Sequence, residues 1–256
     1  MRKKDIIKYI DAAGFEFRSL LGVGSNAKTV KSDKSSDWLT AIQYLQPDLA
    51  TCPNSIIAEC AKACLNTAGR GGMNSVQLVR HDRTRCFHQA RGLFESLLKI
   101  ELASHERKAL RLSKQPACRL NGTSDIGWRE VINAFPNIMF YDYTKVVARV
   151  RRWARGEMPK NYHLTLSYSS ASEKYKQQCD LLLESFPHVN VAVVFRSKEL
   201  VDSLVGSKAM GRTVIDGDKT DLRFTDPAGS LVALYAKGAA KHDRSGFVHD
   251  EAPTLA

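Results

Sequence analysis

Three cysteines stand close together in one short segment of the chain. Cys52, Cys60 and Cys64 are spaced C-x7-C-x3-C within the string TCPNSIIAECAKACLNTAGRGG. Thiolates clustered in this way bind iron–sulfur clusters or zinc. Three protein ligands leave one coordination position open, and an open position is where a metal centre does chemistry. We therefore take this cysteine segment as the main candidate functional site.

Two metals suit these thiols. One is a [4Fe–4S] cluster with one iron free, to which S-adenosylmethionine could bind through its amino and carboxylate groups. The other is zinc, closed into a structural site by a fourth ligand from Cys86, His81 or His88. A segment that binds no metal is the third interpretation, and the sequence leaves all three open.

The elements that position the cysteines alternate between strand and helix. Residues 38–47 predict a first strand, and from residue 117 short apolar strands alternate with helical stretches. This rhythm predicts an α/β fold, a full or partial parallel β/α (TIM-like) barrel of about six units with an N-terminal extension. An open doubly wound sheet is the rival architecture, and no G-x-G-x-x-G or P-loop motif supports a nucleotide-binding version of it.

The predicted boundaries follow from this pattern. Residues 1–37 would form an N-terminal helix and a polar loop, residues 38–248 the barrel domain, and residues 249–256 a C-terminal tail. Within these parts the pattern predicts helices over residues 4–13 and 55–66 and a long helix over residues 76–112.

Polar side chains gather where the predicted strands end. In a parallel barrel the carboxyl ends of the strands carry the functional residues. A cysteine triad after the first strand and a small polar turn after the second resemble the layout of the radical-SAM superfamily, whose usual spacing is C-x3-C-x2-C. That layout implies that Asn121, Ser124 and Asp125 orient a ligand at the open iron. Lys145, Arg196 and Asp216, at later strand ends, are the residues predicted to meet a substrate.

The charge of the chain favours an anionic partner. The formal net charge is +11 and the isoelectric point is near 9.4. The densest basic stretch, residues 145–160, would suit a nucleic-acid backbone, or equally an outer helix whose arginine stems cover apolar surface. No apolar run reaches the roughly 18 residues of a membrane span, and no signal-peptide core follows the basic start. We therefore expect a cytoplasmic protein without a membrane partner.

Several strings resemble the bacteriophage and prophage family called gene product 88. They are SNAKTVK, YLQP, CPNSIIAECAKACLNTAGRGG, VRHDRTRCF, RLNGTSDIGW, FYDYTK, LTLSYS, VIDGDKTDLRFTDPAG and LVALYAKG. The resemblance implies a phage origin and a role inside an infected bacterium, where a host protein is a candidate partner, but no settled activity. The residues it carries over are Cys52, Cys60, Cys64, Asn66, Gly69, Arg70, Arg119, Asn121, Ser124, Asp125, Lys145, Asp216 and Asp218. Asn66 and Arg70 join the predicted cofactor site on this ground.

Overall fold

The structure is a computed structural model that describes residues 2–24, 30 and 33–255. The described helices are α1 (Lys3–Ala12), α2 (Asn74–Gln89), α3 (Arg91–Arg111), α4 (Arg129–Asn133), α5 (Val147–Ala154), α6 (Glu173–Ser185) and α7 (Lys198–Leu204). The strands are β1 (Leu21–Val23), β2 (Trp38–Gln43), β3 (Gln115–Arg119), β4 (Met139–Thr144), β5 (Tyr162–Ser167), β6 (Val191–Phe195), β7 (Lys208–Ala209), β8 (Arg212–Asp216), β9 (Ser230–Tyr235) and β10 (Val248–His249). None of these helices combines the length and hydropathy that crossing a membrane requires.

All ten strands belong to one mostly parallel sheet. Its order is β1-β2-β3-β4-β5-β6-β9-β8-β7, and β10 pairs with β6 outside this path. The two edge strands, β1 and β7, run antiparallel to their neighbours, whereas β2 through β6, β9 and β8 run parallel. The predicted α/β class is therefore confirmed. The predicted closed TIM-like barrel is not found, because among the described residues no ladder joins the two edges.

The helices cover one face of this sheet, which we call the outer face. Strands β2 to β6 follow one another in chain order, and right-handed crossovers then place every connecting helix on the same side. Residues of this face pack with the helices into two large apolar clusters. Strand β9 returns between β6 and β8, so the same rule sends its connection, residues 217–229, across the opposite inner face. Phe224 of this connection contacts Trp38 and Tyr141, at 4.6 and 5.3 Å between ring centroids.

The long helix predicted over residues 76–112 is two helices. The chain leaves the helical conformation at Ala90, with φ −138° and ψ 51°, between α2 and α3. The break brings the rings of Phe87 and Phe94 to 5.4 Å, and both rings pack against Trp128. A straight helix would separate two residues seven apart by about 10 Å along its axis, so the bend is what brings these two rings into contact.

The N-terminal extension is built into the same sheet. Ile6 and Ile10, four residues apart on α1, are fully buried in the first core cluster. The following strand, β1, pairs with β2 through Leu21 opposite Gln43. The helix predicted over residues 4–13 is confirmed as α1. Half of the predicted polar loop over residues 24–37, namely residues 25–29 and 31–32, and nearly all of the SNAKTVK string lie outside the described residues.

Candidate functional site

The cysteine segment lies at the carboxyl edge of the parallel sheet, directly after β2. A reciprocal pair of hydrogen bonds closes its first turn: the Asp48 amide donates to Thr51 Oγ1 (2.9 Å) and the Thr51 amide donates to Asp48 Oδ1 (2.8 Å). The amide of Asp125, in the loop after β3, donates to the Thr51 carbonyl at 2.6 Å. This contact places the first cysteine beside the loop that follows the neighbouring strand.

No α-helix forms between residues 55 and 66, which corrects the prediction for that stretch. The chain makes turns there, and Glu59 adopts a positive φ of 49° that interrupts a right-handed helix. Two short 3₁₀ helices follow, Leu65–Thr67 and Gly69–Gly72. The cysteines are therefore carried by loop and turn, where small torsion changes can alter the direction of each thiol.

The three thiols are half-buried and share one electrostatic neighbourhood. Their hydrogen-bond contacts include three long ones: Cys52 Sγ to the Thr123 carbonyl (3.7 Å), Cys60 Sγ to the Ser55 carbonyl (3.8 Å), and Cys64 Sγ accepting from the Asn66 amide (3.4 Å). Burial raises the pKa of all three, and the pKa of Cys52 reaches about 12 because Asp125 and the other two cysteines raise it further. Without a metal, these thiols are protonated at neutral pH.

Two cations lie close enough to the thiols to lower their pKa. Lys145 lowers the pKa of Cys60 and Cys64 against the larger effect of burial, and Arg80 does the same for Cys64. The Lys145 ammonium donates to Ser167 Oγ at 2.7 Å and lies 4.5 Å from the centre of the Phe247 ring. Within residues 33–255 it forms no salt bridge, so its charge is available to stabilise thiolates.

A preformed metal site is not present among the described residues: no group of three or more His, Cys, Asp or Glu side chains is arranged to hold an ion. The suggested fourth zinc ligands lie in different settings. Cys86 is fully buried in the core between α2 and its neighbours, and His88 Nε2 lies 2.8 Å from Asp48 Oδ2. His81 lines an open groove of about 380 Å³ beside Gln46 and Gln77. Cys86 is therefore a core residue.

Asn121 organises the loop after β3 through a saturated hydrogen-bond network. Its side-chain oxygen accepts from Ser124 Oγ, the Ile126 amide and Trp128 Nε1, at 2.9, 2.9 and 3.3 Å. Its side-chain nitrogen donates to the Ile126 carbonyl and to Asp142 Oδ2. Every polar group of Asn121 is therefore engaged with the protein, and so is the hydroxyl of Ser124.

Asp125 joins the same loop to β4 and α5. Its carboxylate accepts from Thr144 Oγ1 (2.7 Å), the Lys145 amide (2.8 Å) and Arg149, whose ion pair is almost completely buried. The predicted group of Asn121, Ser124 and Asp125 thus lies beside Cys52, as expected. Because its polar atoms already have partners, this group holds together the loops that follow β2, β3 and β4.

The remaining predicted residues lie in three places. Asn66 is buried and holds Arg80 and Gln77 in a network next to Cys64, whereas Arg70 is exposed in the second 3₁₀ helix.

Arg196 binds the C-terminal segment through Asp250 (2.8 Å) and the Asp243 carbonyl (2.7 Å). Asp216 accepts from the Asp218 amide, and β9 separates its strand from β6. Strand order therefore places Asp216 one strand farther from β6 than the chain order predicts.

Sequence reasoning missed two residues that support this site. Gln77 bridges Asn66 and the Gly71 carbonyl, and the Ser167 hydroxyl anchors Lys145. Nothing local in the sequence distinguishes Gln77 from other polar helix residues. Ser167 does stand at a strand end next to that of Lys145, which is the signal that could have identified it.

The fold and this edge define an α/β protein with an open, largely parallel sheet and a cysteine segment at its carboxyl edge. Residues 19–251 match the family model described as Gene product 88, so the chain belongs to the gene product 88 family, as the sequence strings predicted. The search of curated proteins and the search of solved structures returned no match.

Proposed function

We propose that this protein is an iron–sulfur protein of the infected bacterial cytoplasm, with Cys52, Cys60 and Cys64 as the protein ligands of a [4Fe–4S] cluster. The observation that carries the proposal is that one segment places three thiols near one another at the carboxyl edge of a parallel sheet. These thiols are close enough to raise one another's pKa. Lys145 and Arg80 would offset the negative charge of the thiolates and the cluster.

Cluster binding has two physical requirements in this site. Each thiol must lose its proton, so assembly would release protons and depend on pH. The side chains must also converge further, because their present arrangement is not that of a ligating set. The loop and turn conformation of the segment would allow this movement. A three-cysteine cluster leaves one iron open, and we propose S-adenosylmethionine as its ligand, with Lys145 toward the substrate side.

Metal and sulfide analysis of protein purified without oxygen tests the proposal. We expect about four irons and four sulfides per chain and a broad absorption band near 400 nm. Replacing any one of Cys52, Cys60 and Cys64 by Ala should remove most of the iron, whereas the matched variant Cys179→Ala, a buried core cysteine, should keep it. Full iron content in all three triad variants would refute the proposal, and one zinc without sulfide would make the site structural.

A nucleic-acid-binding function is the second candidate. Val147 and Val150 fix one side of α5 in the core, while Arg151, Arg152 and Arg155 are exposed on its other side. We propose that this surface contacts a phosphate backbone. Binding to DNA or RNA should then weaken steeply with salt, and Arg151→Glu combined with Arg152→Glu should abolish it. Absence of binding at low salt would rule the surface out.

A further inference from the structure

The inner face of the sheet opens toward solvent at its carboxyl end. Side chains alternate between the two faces of a strand, and the outer-face residues of β4 and β5 are buried under helices. On the inner face, Arg119, Tyr143, Lys145 and Ser167 remain partly exposed. Arg119 keeps 14% of its side-chain surface accessible. This part of the face therefore forms a solvent-reached surface that leads up to the cysteine segment.

Several hydrogen-bond donors that are buried just beneath this surface lack partners in the described chain. They include Arg119 Nε, the Tyr143 hydroxyl and the Thr165 hydroxyl, the last on a fully buried residue. Tyr143 and Thr165 are direct neighbours in the β4–β5 ladder, and the Arg119 guanidinium lies 4.8 Å from the Tyr143 ring centre. The three groups therefore belong to one cluster rather than to separate sites.

Unpartnered buried donors also occur elsewhere in the described chain, for example at Arg83 Nε and Asn190 Nδ2, but other buried polar groups of the sheet do have partners. Arg212 is a buried arginine of the same sheet, and its guanidinium donates to the carbonyls of Val189, Met210 and Leu183. Tyr162, on the outer face, donates its hydroxyl to Asp142 at 3.0 Å. Most buried polar groups in proteins have such partners, so a cluster without them indicates a group that the chain does not supply.

The charge around the cluster is positive. Arg119, Lys145 and the buried Arg223 contribute three cations, against two carboxylates. Asp221 lies 3.8 Å from Arg119 Nη1 and accepts from the Tyr141 hydroxyl, and Asp226 lies 3.3 Å from Arg223 Nη1. Asp125 near Lys145 is already paired with Arg149. Donors with a net positive charge suit a ligand that only accepts hydrogen bonds and carries negative charge.

We propose that the inner face binds a small molecule whose oxyanion group, a carboxylate or a phosphate, lies against Arg119, Tyr143 and Thr165. Lys145 and Ser167 close the upper end of the site. This site does not depend on a metal at the cysteines.

Calorimetric titration of the full chain with two separate probes, inorganic phosphate and hexanoate, tests the proposal. We expect saturable one-site binding of at least one probe with a roughly millimolar Kd. Phosphate binding would indicate a phosphorylated ligand, and hexanoate binding a carboxylate ligand. Tyr143→Phe and Thr165→Val each remove a hydroxyl without an internal partner, so both variants should fold normally and bind about tenfold more weakly. Arg119→Met should abolish binding.

Two matched variants distinguish a specific effect on this site from a general effect on the fold. Tyr162→Phe removes a bonded hydroxyl from the outer face and should leave probe binding unchanged. Cys52→Ala should also keep it, so that failure of the cluster proposal and failure of this one give different results. Absence of saturable binding for both probes would overturn the proposal. Binding that Tyr143→Phe, Thr165→Val and Arg119→Met all leave unchanged would overturn it equally.

Discussion

The loop after β3 and the cysteine segment after β2 meet at the same edge of the sheet but use their polar groups in opposite ways. Asn121 engages all its side-chain donors and acceptors, and Asp125 has three partners. The thiols of the cysteine segment make long contacts, at 3.4–3.8 Å, to backbone groups of Thr123, Ser55 and Asn66. The β3 loop is thus a support that fixes geometry, and the cysteine segment keeps its reactive atoms free for another ligand.

This difference divides the predicted site into residues that support its geometry and residues that can bind a ligand. Residues 121–125 and the cysteines were predicted together because both follow neighbouring parallel strands. A buried polar residue with every group bonded contributes mainly to the position of its neighbours, because breaking those bonds to contact a ligand would cost free energy. A residue whose polar atom has weak partners carries no such cost. The free energy of unfolding should therefore respond to changes in the first group, and ligand content to changes in the second.

Asn121→Ala should give the largest loss of stability. The substitution removes the partners of Ser124, Trp128 and the buried Asp142 in one step, so we expect the free energy of unfolding to fall by about 3–5 kcal/mol. Urea denaturation of wild type and variant measures this. Asn137→Ala is the matched control, because Asn137 is exposed and its side chain bonds only to Glu106. A loss below about 1 kcal/mol for Asn121→Ala would show that the loop network is not a support.

The carboxyl of Asp142 should make the same network sensitive to pH. Burial raises its pKa to about 6, above the ordinary value of 3.8, although Asn121 and Tyr162 donate to it. The folded protein then holds a proton that the unfolded chain has released, so stability falls as pH rises from about 4 to about 6. Between about pH 4.5 and 6.5, wild type should lose about 2 kcal/mol relative to Asp142→Asn.

Denaturation of both proteins at the two pH values measures this change. A stability difference between them that stays constant over this range would show that Asp142 is ionised throughout, and hence that the network compensates its burial.

Cysteine substitutions in the segment should give the smallest effects on stability, although they should give the largest effects on metal content. In metal-free protein we expect Cys52→Ala to cost less than about 1 kcal/mol, and Cys118→Ala, which is fully buried in the core, about 1–2 kcal/mol. Thermal or chemical denaturation of apo-protein measures both. If Cys52→Ala proved the more costly of the two, the cysteine segment would be a structural element like the β3 loop.

Local pattern predicted much of the scaffold. The strands over residues 139–144, 162–167 and 191–195 lie where apolar runs placed them, and Ser172 and Ser197 cap α6 and α7 by accepting from the Tyr175 and Leu200 amides. These features depend on residues next to each other in the chain, which is why the sequence shows them. The helix predicted over residues 55–66 failed because composition alone does not show the positive φ at Glu59 that breaks it.

The sequence by itself determined the alternation of strand and helix, the presence of three cysteines after the first parallel strand, and membership of the gene product 88 family. Only the tertiary structure decided that β9 inserts between β6 and β8, that Asp216 is thereby displaced, and that Asn121 and Asp125 are fully bonded while Arg119 and Tyr143 are not. Strand order and hydrogen-bond partners depend on residues far apart in the chain. Periodicity reports which face a residue occupies but not what it meets there.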